Sequence, residues 1–424
     1  MQRKITSHYF LLNRLRSCFI RYHFFSSQNS LDPSVVTSDP IYADIPKRRR
    51  DKGERKPYQT PINVLIRRAK LEKEARKANP CRMLENPPGN GLLVPELVEV
   101  AHSVYLAQQS LFTGLTKLVK VIPVQRCRCC SEVHIGHVGN EIRTCIGPGS
   151  GSRNGTHVWR RGGAHDVVFF PKCFHLYDRV GKPRVGHDER RSVPRIPAIL
   201  ELCIQAGVDL GKYPTKRRTK PVYSIEGRIV DFEQAIEKYD MGKKLDLEVV
   251  EPLVVDSGFQ TKFDEVSPNL KLEKDICHMN ESNGPTNSRD LSIRTMESWL
   301  EMISGAKKIM ERYSVLTCGY CPEVQVGPKG HKVRLCKATK HQARDGQHAW
   351  QEATIEDLVG PNYVWHVEDT NGPSLDNKSK RYYGKAPAVV ELCVQNGAPV
   401  PDQYRSMMRL DVVSPNRDEV DLVA

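Results

Sequence analysis

The sequence predicts an α+β chain: two small helix-containing repeat domains joined by a flexible acidic linker. Three observations predict it. A cysteine-rich segment opening at Cys127-Arg-Cys129-Cys130 recurs 191 positions later from Cys318-Gly-Tyr-Cys321. An apolar pattern at helical intervals precedes each copy, and a second one closes it. Between the copies, from Asp240 to Asp290, acidic residues outnumber basic ones, and Ser282-Asn-Gly-Pro-Thr-Asn-Ser288 has the composition of a linker.

From the N-terminus, residues 1–31 carry Arg3, Lys4, Arg14, Arg16 and Arg21, no acidic residue, and interleaved apolar residues such as Phe10, Leu11, Leu15 and Phe19. This amphipathic, arginine-rich pattern is that of an organellar presequence; a secretory signal would have a continuous apolar core. The shortness of this arginine-bearing segment favours the mitochondrion, with the chloroplast as the alternative. Residues 32–90 are basic, with Lys47-Arg-Arg-Arg50, and read as largely disordered around a short helix from Asn63 to Ala78.

The first repeat then spans 91–220, its core about 126–211. Its leading helix, from Pro95 to Val119, places Leu97, Ala101, Val104, Leu111, Leu115 and Leu118 on one face. Its closing helix lies between Pro197 and Gly207, a proline start and a glycine stop. Residues 221–290 are the linker. The second repeat spans 291–410, its core about 317–403, with leading positions Leu291, Met296, Leu300 and Ile309 and a closing helix between Pro387 and Gly397. Residues 411–424 form a polar tail. Cys203 and Cys393 sit on the apolar faces of the closing helices and read as buried thiols.

Within each repeat the spacing is C-x2-C-x14-C-x11-H: Cys127, Cys130, Cys145 and His157, then Cys318, Cys321, Cys336 and His348. Three thiolates and an imidazole are the donors of a closed structural zinc site, so the two repeat domains are expected to be zinc-stabilised, with two ions per chain; iron is the alternative metal. A repeat this small and glycine-rich builds a thin core, which gives a structural metal its purpose. The fourth ligand has competitors: His137 and His331 break register, whereas His175/His366 keep it, with Asp178/Asp369 three residues on as acceptors. Four protein donors leave no open position for hydrolytic chemistry, so no catalytic residue is assigned. Gly147-Pro-Gly-Ser-Gly-Ser152 lacks the Gly-Lys-Ser/Thr ending of a phosphate loop.

Lysine and arginine exceed aspartate and glutamate by 64 to 50, a formal charge of +14, which favours a polyanionic partner. The basic residues concentrate around the first repeat: Arg160, Arg161, Arg190, Arg191, Arg195, Lys216, Arg217, Arg218 and Lys220 are the candidate contacts to a phosphate backbone. No run of about 18 apolar residues predicts a spanning helix, so no membrane partner is expected. Of 13 cysteines, eight occupy matched repeat positions, which suits metal ligation and buried thiols better than a secreted disulfide framework.

The doubled unit, with Phe174-His-Leu-Tyr-Asp178 and Pro194-Arg-Ile-Pro-Ala-Ile-Leu-Glu-Leu-Cys-Ile-Gln-Ala-Gly-Val-Asp209, resembles the plant organellar APO (accumulation of photosystem one) proteins. The resemblance covers about 95–220 and 292–410. It implies two APO domains that bind RNA and a role in organellar intron splicing. The family pattern has Gly-His before the third cysteine; Gly330-His331 keeps it and Gly139-Asn140 does not, leaving His137 or His157 to serve the first site. The expected function is therefore non-catalytic binding of organellar intron RNA that promotes group II intron splicing in mitochondria, alongside other splicing factors. The alternative is a zinc-stapled protein-interaction scaffold in an organellar ribonucleoprotein.

Overall fold

The computed structural model describes residues 53–233, 287–338 and 341–422. The expected presequence and most of the acidic linker lie outside the described residues.

The helix expected near 63–78 is α1 (Ile62–Ala78), followed by β1 (Cys81–Met83). The leading helix of the first repeat is α2 (Pro95–Val121), with proline in its first turn and Pro123 just beyond its end, where a missing N–H and a fixed φ stop the helix. Then come β2 (Val124–Cys127), β3 (Val133–Ile135), β4 (Trp159–Arg161), the short α3 (Ala164–Val167), β5 (Lys172–Phe174), β6 (Arg195–Pro197) and α4 (Ala198–Ala206). Gly207 ends α4 at φ 138°, a conformation that favours glycine. The segment read as the start of the linker is instead folded: β7 (Tyr223–Ile225) and β8 (Arg228–Val230) join β1 in an antiparallel sheet ordered β1-β7-β8.

The second repeat follows the same plan through α5 (Ser288–Met310), β9 (Val315–Cys318), β10 (Val324–Val326), β11 (Trp350–Glu352), α6 (Ile355–Val359), β12 (Tyr363–Trp365), β13 (Lys385–Pro387) and α7 (Ala388–Gln395), with α8 (Asp402–Met408) added at the end. Each repeat has a three-stranded antiparallel sheet, β3-β2-β4 or β10-β9-β11, and a separate pair, β5-β6 or β12-β13.

The two repeats are not separately cored, as the linker had suggested; they share one hydrophobic core. The long helices α2 and α5 cross at its centre, and glycines bring them close. A Cβ on Gly114 would lie 2.1 Å from Thr295 Oγ1, and one on Gly305 2.4 Å from Val104 Cγ2. Around this pair the repeats exchange halves. The three-stranded sheet of one packs on the strand pair of the other. Gln325 on β10 donates to the Phe174 carbonyl on β5 at 2.8 Å. Lys332 N–H donates to the Val185 carbonyl, and at the matching positions Glu141 N–H donates to the Leu375 carbonyl, both at 2.9 Å. The linker does lie between the repeats, but it did not imply separate cores, because composition reports only how two segments are connected. Packing is decided by the apolar faces of α2 and α5, which are buried against each other.

Candidate metal centres

Each cysteine-rich loop hangs between the first two strands of a sheet and the long connection to the third. Cys127 ends β2 and Cys318 ends β9, and the glycines that follow make the loop possible. Gly136 and Gly327 hold φ of 140° and 131°. At Gly139 and Gly330 the requirement is space: an added Cβ would sit 2.1 Å from Trp159 and 2.2 Å from Trp350. Each tryptophan lies over its neighbouring histidine, with ring centroids 4.9 Å apart for His157 and 5.1 Å for His348. The in-register tryptophans therefore pack the loop.

This scaffold brings together Cys127, Cys130, Cys145 and His157, and likewise Cys318, Cys321, Cys336 and His348, with all donor atoms of each group within 4.8 Å of one another. A tetrahedral zinc with the usual bond lengths needs sulfur–sulfur edges of about 3.8 Å and sulfur–nitrogen edges of about 3.6 Å. Cys127 and Cys145 Sγ are 4.0 Å apart; Cys130 Sγ is 3.5 Å from His157 Nδ1 and Cys321 Sγ 3.3 Å from His348 Nδ1. The groups fit a metal ion of this size. Nδ1 is the inward nitrogen in both copies.

The thiols also show why a cation belongs there. Burial raises the Cys127 thiol, but hydrogen bonds from the Cys129 N–H and from His157 outweigh it and bring it down to about 6. Burial and the adjacent Cys127 push Cys130 up to about 12. In the second copy the bond from Cys321 lowers Cys318, and Cys321 rises in turn. Adjacent sulfurs in each pair thus resist ionising together, and a divalent cation removes that conflict.

The surroundings of each group cross between repeats. His157 Nε2 lies 3.0 Å from Thr144 Oγ1, which donates to Glu132, and Glu132 accepts from Trp365 of the second repeat at 3.1 Å. Such a chain fixes the tautomer that leaves Nδ1 free to ligate. In the second copy Leu335 replaces Thr144, and His348 Nε2 is buried without a hydrogen-bond partner. There Glu323 instead holds Arg195 of the first repeat at 2.6 Å and His331 at 3.2 Å. Arg153 and Arg344 each reach the third cysteine, 3.6 Å from Cys145 and Cys336 Sγ.

The competing histidines lie elsewhere. His137 offers its backbone carbonyl to Gln125, and His331 pairs with Glu323. His175 Nδ1 is 2.7 Å from Glu201 and His366 Nδ1 is 2.9 Å from Glu391, both glutamates being fully buried on α4 and α7. These glutamates also accept from the Leu176 and Val367 N–H groups, each at 3.0 Å. Glu201 and Glu391 went unassigned from sequence, though a glutamate repeated inside an apolar helix was the available signal. Asp178, expected beside His175, is held by Arg218 at 2.6 Å.

The basic residues divide in two. Arg160 and Arg161 are exposed on β4, and Arg191 and Lys220 are exposed as well, while Arg190 is half-buried and donates to the His187 carbonyl. The others serve the fold. Arg195 bridges to Glu323; Lys216 pairs with Asp231; Arg217 caps the end of α4 through the Ile204 carbonyl at 2.6 Å. Arg218 is buried between Asp178 and Asp231, so it is withdrawn as an RNA contact. Asp166 and Asp357 match in register but differ in partner. Arg126 takes Asp166 at 2.7 Å; Thr317 stands at the equivalent of Arg126, and Lys56 from the N-terminal strap takes Asp357 at 2.8 Å.

A family model described as APO RNA-binding matches residues 29–231 and 286–416. The chain belongs to the APO RNA-binding family. Both APO repeats lie within the matched residues. APO protein 3, mitochondrial, of Arabidopsis thaliana is 63% identical over 402 residues, 94% of each chain. APO protein 2, chloroplastic, of the same organism is 42% identical over 386 residues, 91% of this chain and 82% of its own. APO protein 1, chloroplastic, also of that organism, is 39% identical over 412 residues, 96% of this chain and 88% of its own. No solved structure matches. This APO chain is an organellar RNA-binding protein, mitochondrial like the 63% identical relative and as its N-terminal pattern predicts. Among the described residues no helix is long and apolar enough to cross a membrane.

Proposed function

We propose that the protein promotes splicing of group II introns in mitochondria by binding intron RNA without turnover, together with other splicing factors. Two zinc ions, one on each Cys3His group, would hold the loops that carry the basic surface. The observation that supports this reading is the pairing of a zinc-sized donor group with exposed arginines three and four residues beyond His157: Arg160 and Arg161 follow Trp159 directly on β4. Zinc, when bound, neutralises the thiolates and cross-links the loop. Of the basic candidates read from the sequence, Arg160, Arg161, Arg190, Arg191 and Lys220 then remain open to phosphates, a sequence-independent and salt-sensitive contact.

Binding without catalysis is supported by donor sets already complete at four and by histidines, His175 and His366, whose Nδ1 atoms are tied to buried glutamates. Elemental analysis of the purified chain distinguishes zinc from iron. Immunoprecipitation from mitochondria with sequencing of the bound RNA should enrich intron sequence. Recovery of proteins with no enriched RNA would favour the scaffold reading.

A further inference from the structure

Where the two repeats meet, a cleft of about 340 Å³ is lined by Arg82 on β1, Arg179, Arg312 at the end of α5, and Lys329. Glu72 is the one carboxylate among its lining residues, and it is already paired with Arg76 at 3.5 Å. Arg179 is 7% exposed. Its Nη2 donates to the Gly91 and Leu92 carbonyls at 2.9 and 2.8 Å and its guanidinium lies 5.6 Å from the Tyr313 ring centroid; among the described residues it has no carboxylate partner, and its Nε is buried with no acceptor. Arg82 Nε is likewise buried and unpartnered. A guanidinium out of water with only neutral acceptors is unfavourable until an anion joins it. Burial and the nearby Arg217 and Arg218 charges accordingly lower the Arg179 pKa.

The arrangement is particular to this side of the molecule. At the equivalents of Arg312 and Lys329 in the first repeat stand Val121 and Val138, and at the equivalent of Arg179 in the second stands Thr370. The duplication therefore does not account for the cluster. The cleft also continues past Pro183 and Lys329 into a shallow groove that bears Lys182, Arg184 and Lys332 against Asp188 and Glu189, Glu189 being paired with Lys182, so a net positive charge extends across the boundary between repeats.

Its chemistry fits a phosphate ester attached to something partly apolar. Guanidinium forks bind phosphate through paired N–H groups, and Leu84, Val180 and Ile229 supply an apolar wall. The volume is at the small end of ligand sites, about 300–1,000 Å³, and suits one nucleotide. Single-stranded RNA offers such a unit when a base leaves its stack. We propose that this cleft clamps one nucleotide of bound RNA, its phosphate on Arg82, Arg179 and Arg312 and its base against the apolar wall. The assignment rests on the RNA-binding reading above and places a contact between the repeats that the basic runs of the sequence do not mark.

The test uses the full chain and a labelled single-stranded intron RNA, with affinity measured by fluorescence anisotropy across a salt series. The paired change Arg82→Gln with Lys329→Gln should weaken binding at least tenfold and lower the log–log salt slope by about 1–2. Lys70→Gln with Lys73→Gln, the same charge loss on the exposed face of α1, should bind near wild type. Wild-type affinity in the Arg82/Lys329 variant would overturn the assignment, as would equal losses in both double variants. A mononucleotide that stabilises wild type but not the Arg82/Lys329 variant, with RNA affinity the same in both, would also overturn it by making the occupant a free nucleotide. Failure of the unaltered chain to bind RNA sinks the RNA reading itself, and it would be seen before any substitution is made.

Discussion

Arg218 exposes 1% of its side chain and holds Asp178 and Asp231 at once. Arg218→Ala leaves two carboxylates without their cation and should cost roughly 3–5 kcal/mol, read as a lower denaturant midpoint. Lys220→Ala, an exposed change two positions on, should leave that midpoint within about 0.5 kcal/mol of wild type. The burial of Arg218 was not legible in the sequence, since Asp178 and Asp231 lie 40 and 13 residues away and no local pattern reports them. The buried histidines predict a pH dependence. Burial lowers the His175 and His366 pKa values, but the Glu201 and Glu391 carboxylates outweigh it and both are raised. A raised folded-state value contributes stability in full below the unfolded value of about 6.5 and loses it as pH rises through the folded value. The difference in unfolding midpoint between wild type and Glu201→Gln should therefore narrow on going from acid to alkaline pH; a gap that widens contradicts the charge pairing.

Among the elements, the glycines of α2 and α5 set a sign that helix propensity alone gets wrong. Replacing glycine by alanine within a helix ordinarily gains about 1 kcal/mol. At Gly114 the new Cβ would sit 2.1 Å from Thr295 Oγ1, and forcing apart a packed pair costs typically 1–3 kcal/mol. Gly114→Ala should thus lower the melting temperature, whereas the bare propensity effect would raise it. The metal loops follow the same logic of close approach, Gly139 and Gly330 admitting Trp159 and Trp350. His157→Ala should remove metal from one site, while His137→Ala leaves both loaded, as elemental analysis would show. These elements were largely legible in the sequence. Helical periodicity, the CxxC spacing and the histidine in register are local signals, and the donors converge where the register pointed. The strands β1, β7 and β8 were missed because three-residue strands carry almost no periodicity, and their pairing joins segments on either side of the first repeat.

For the whole molecule, the exchange of halves is what sequence could not reveal. The copies are alike, so nothing in their pattern says whether β5 packs on β3 of its own repeat or on β10 of the other. The consequence is cooperative: each sheet is covered by the partner's strand pair, and α2 and α5 complete one core. Residues 53–233 or 287–422 produced alone should expose this core and lack a sharp unfolding transition, whereas the full chain should unfold in one step by both circular dichroism and fluorescence. It also ties the two Cys3His groups together, because Glu132 is held by Trp365 and Glu323 by Arg195 across the repeats. The central claim is that two metal-filled centres hold one interlocked frame for RNA. Its most direct measurement follows RNA affinity and metal content together as a chelator is titrated into the full chain. The account predicts two zinc ions per chain at the start and RNA binding that disappears as they leave. Undiminished RNA affinity in a chain stripped of metal would contradict it.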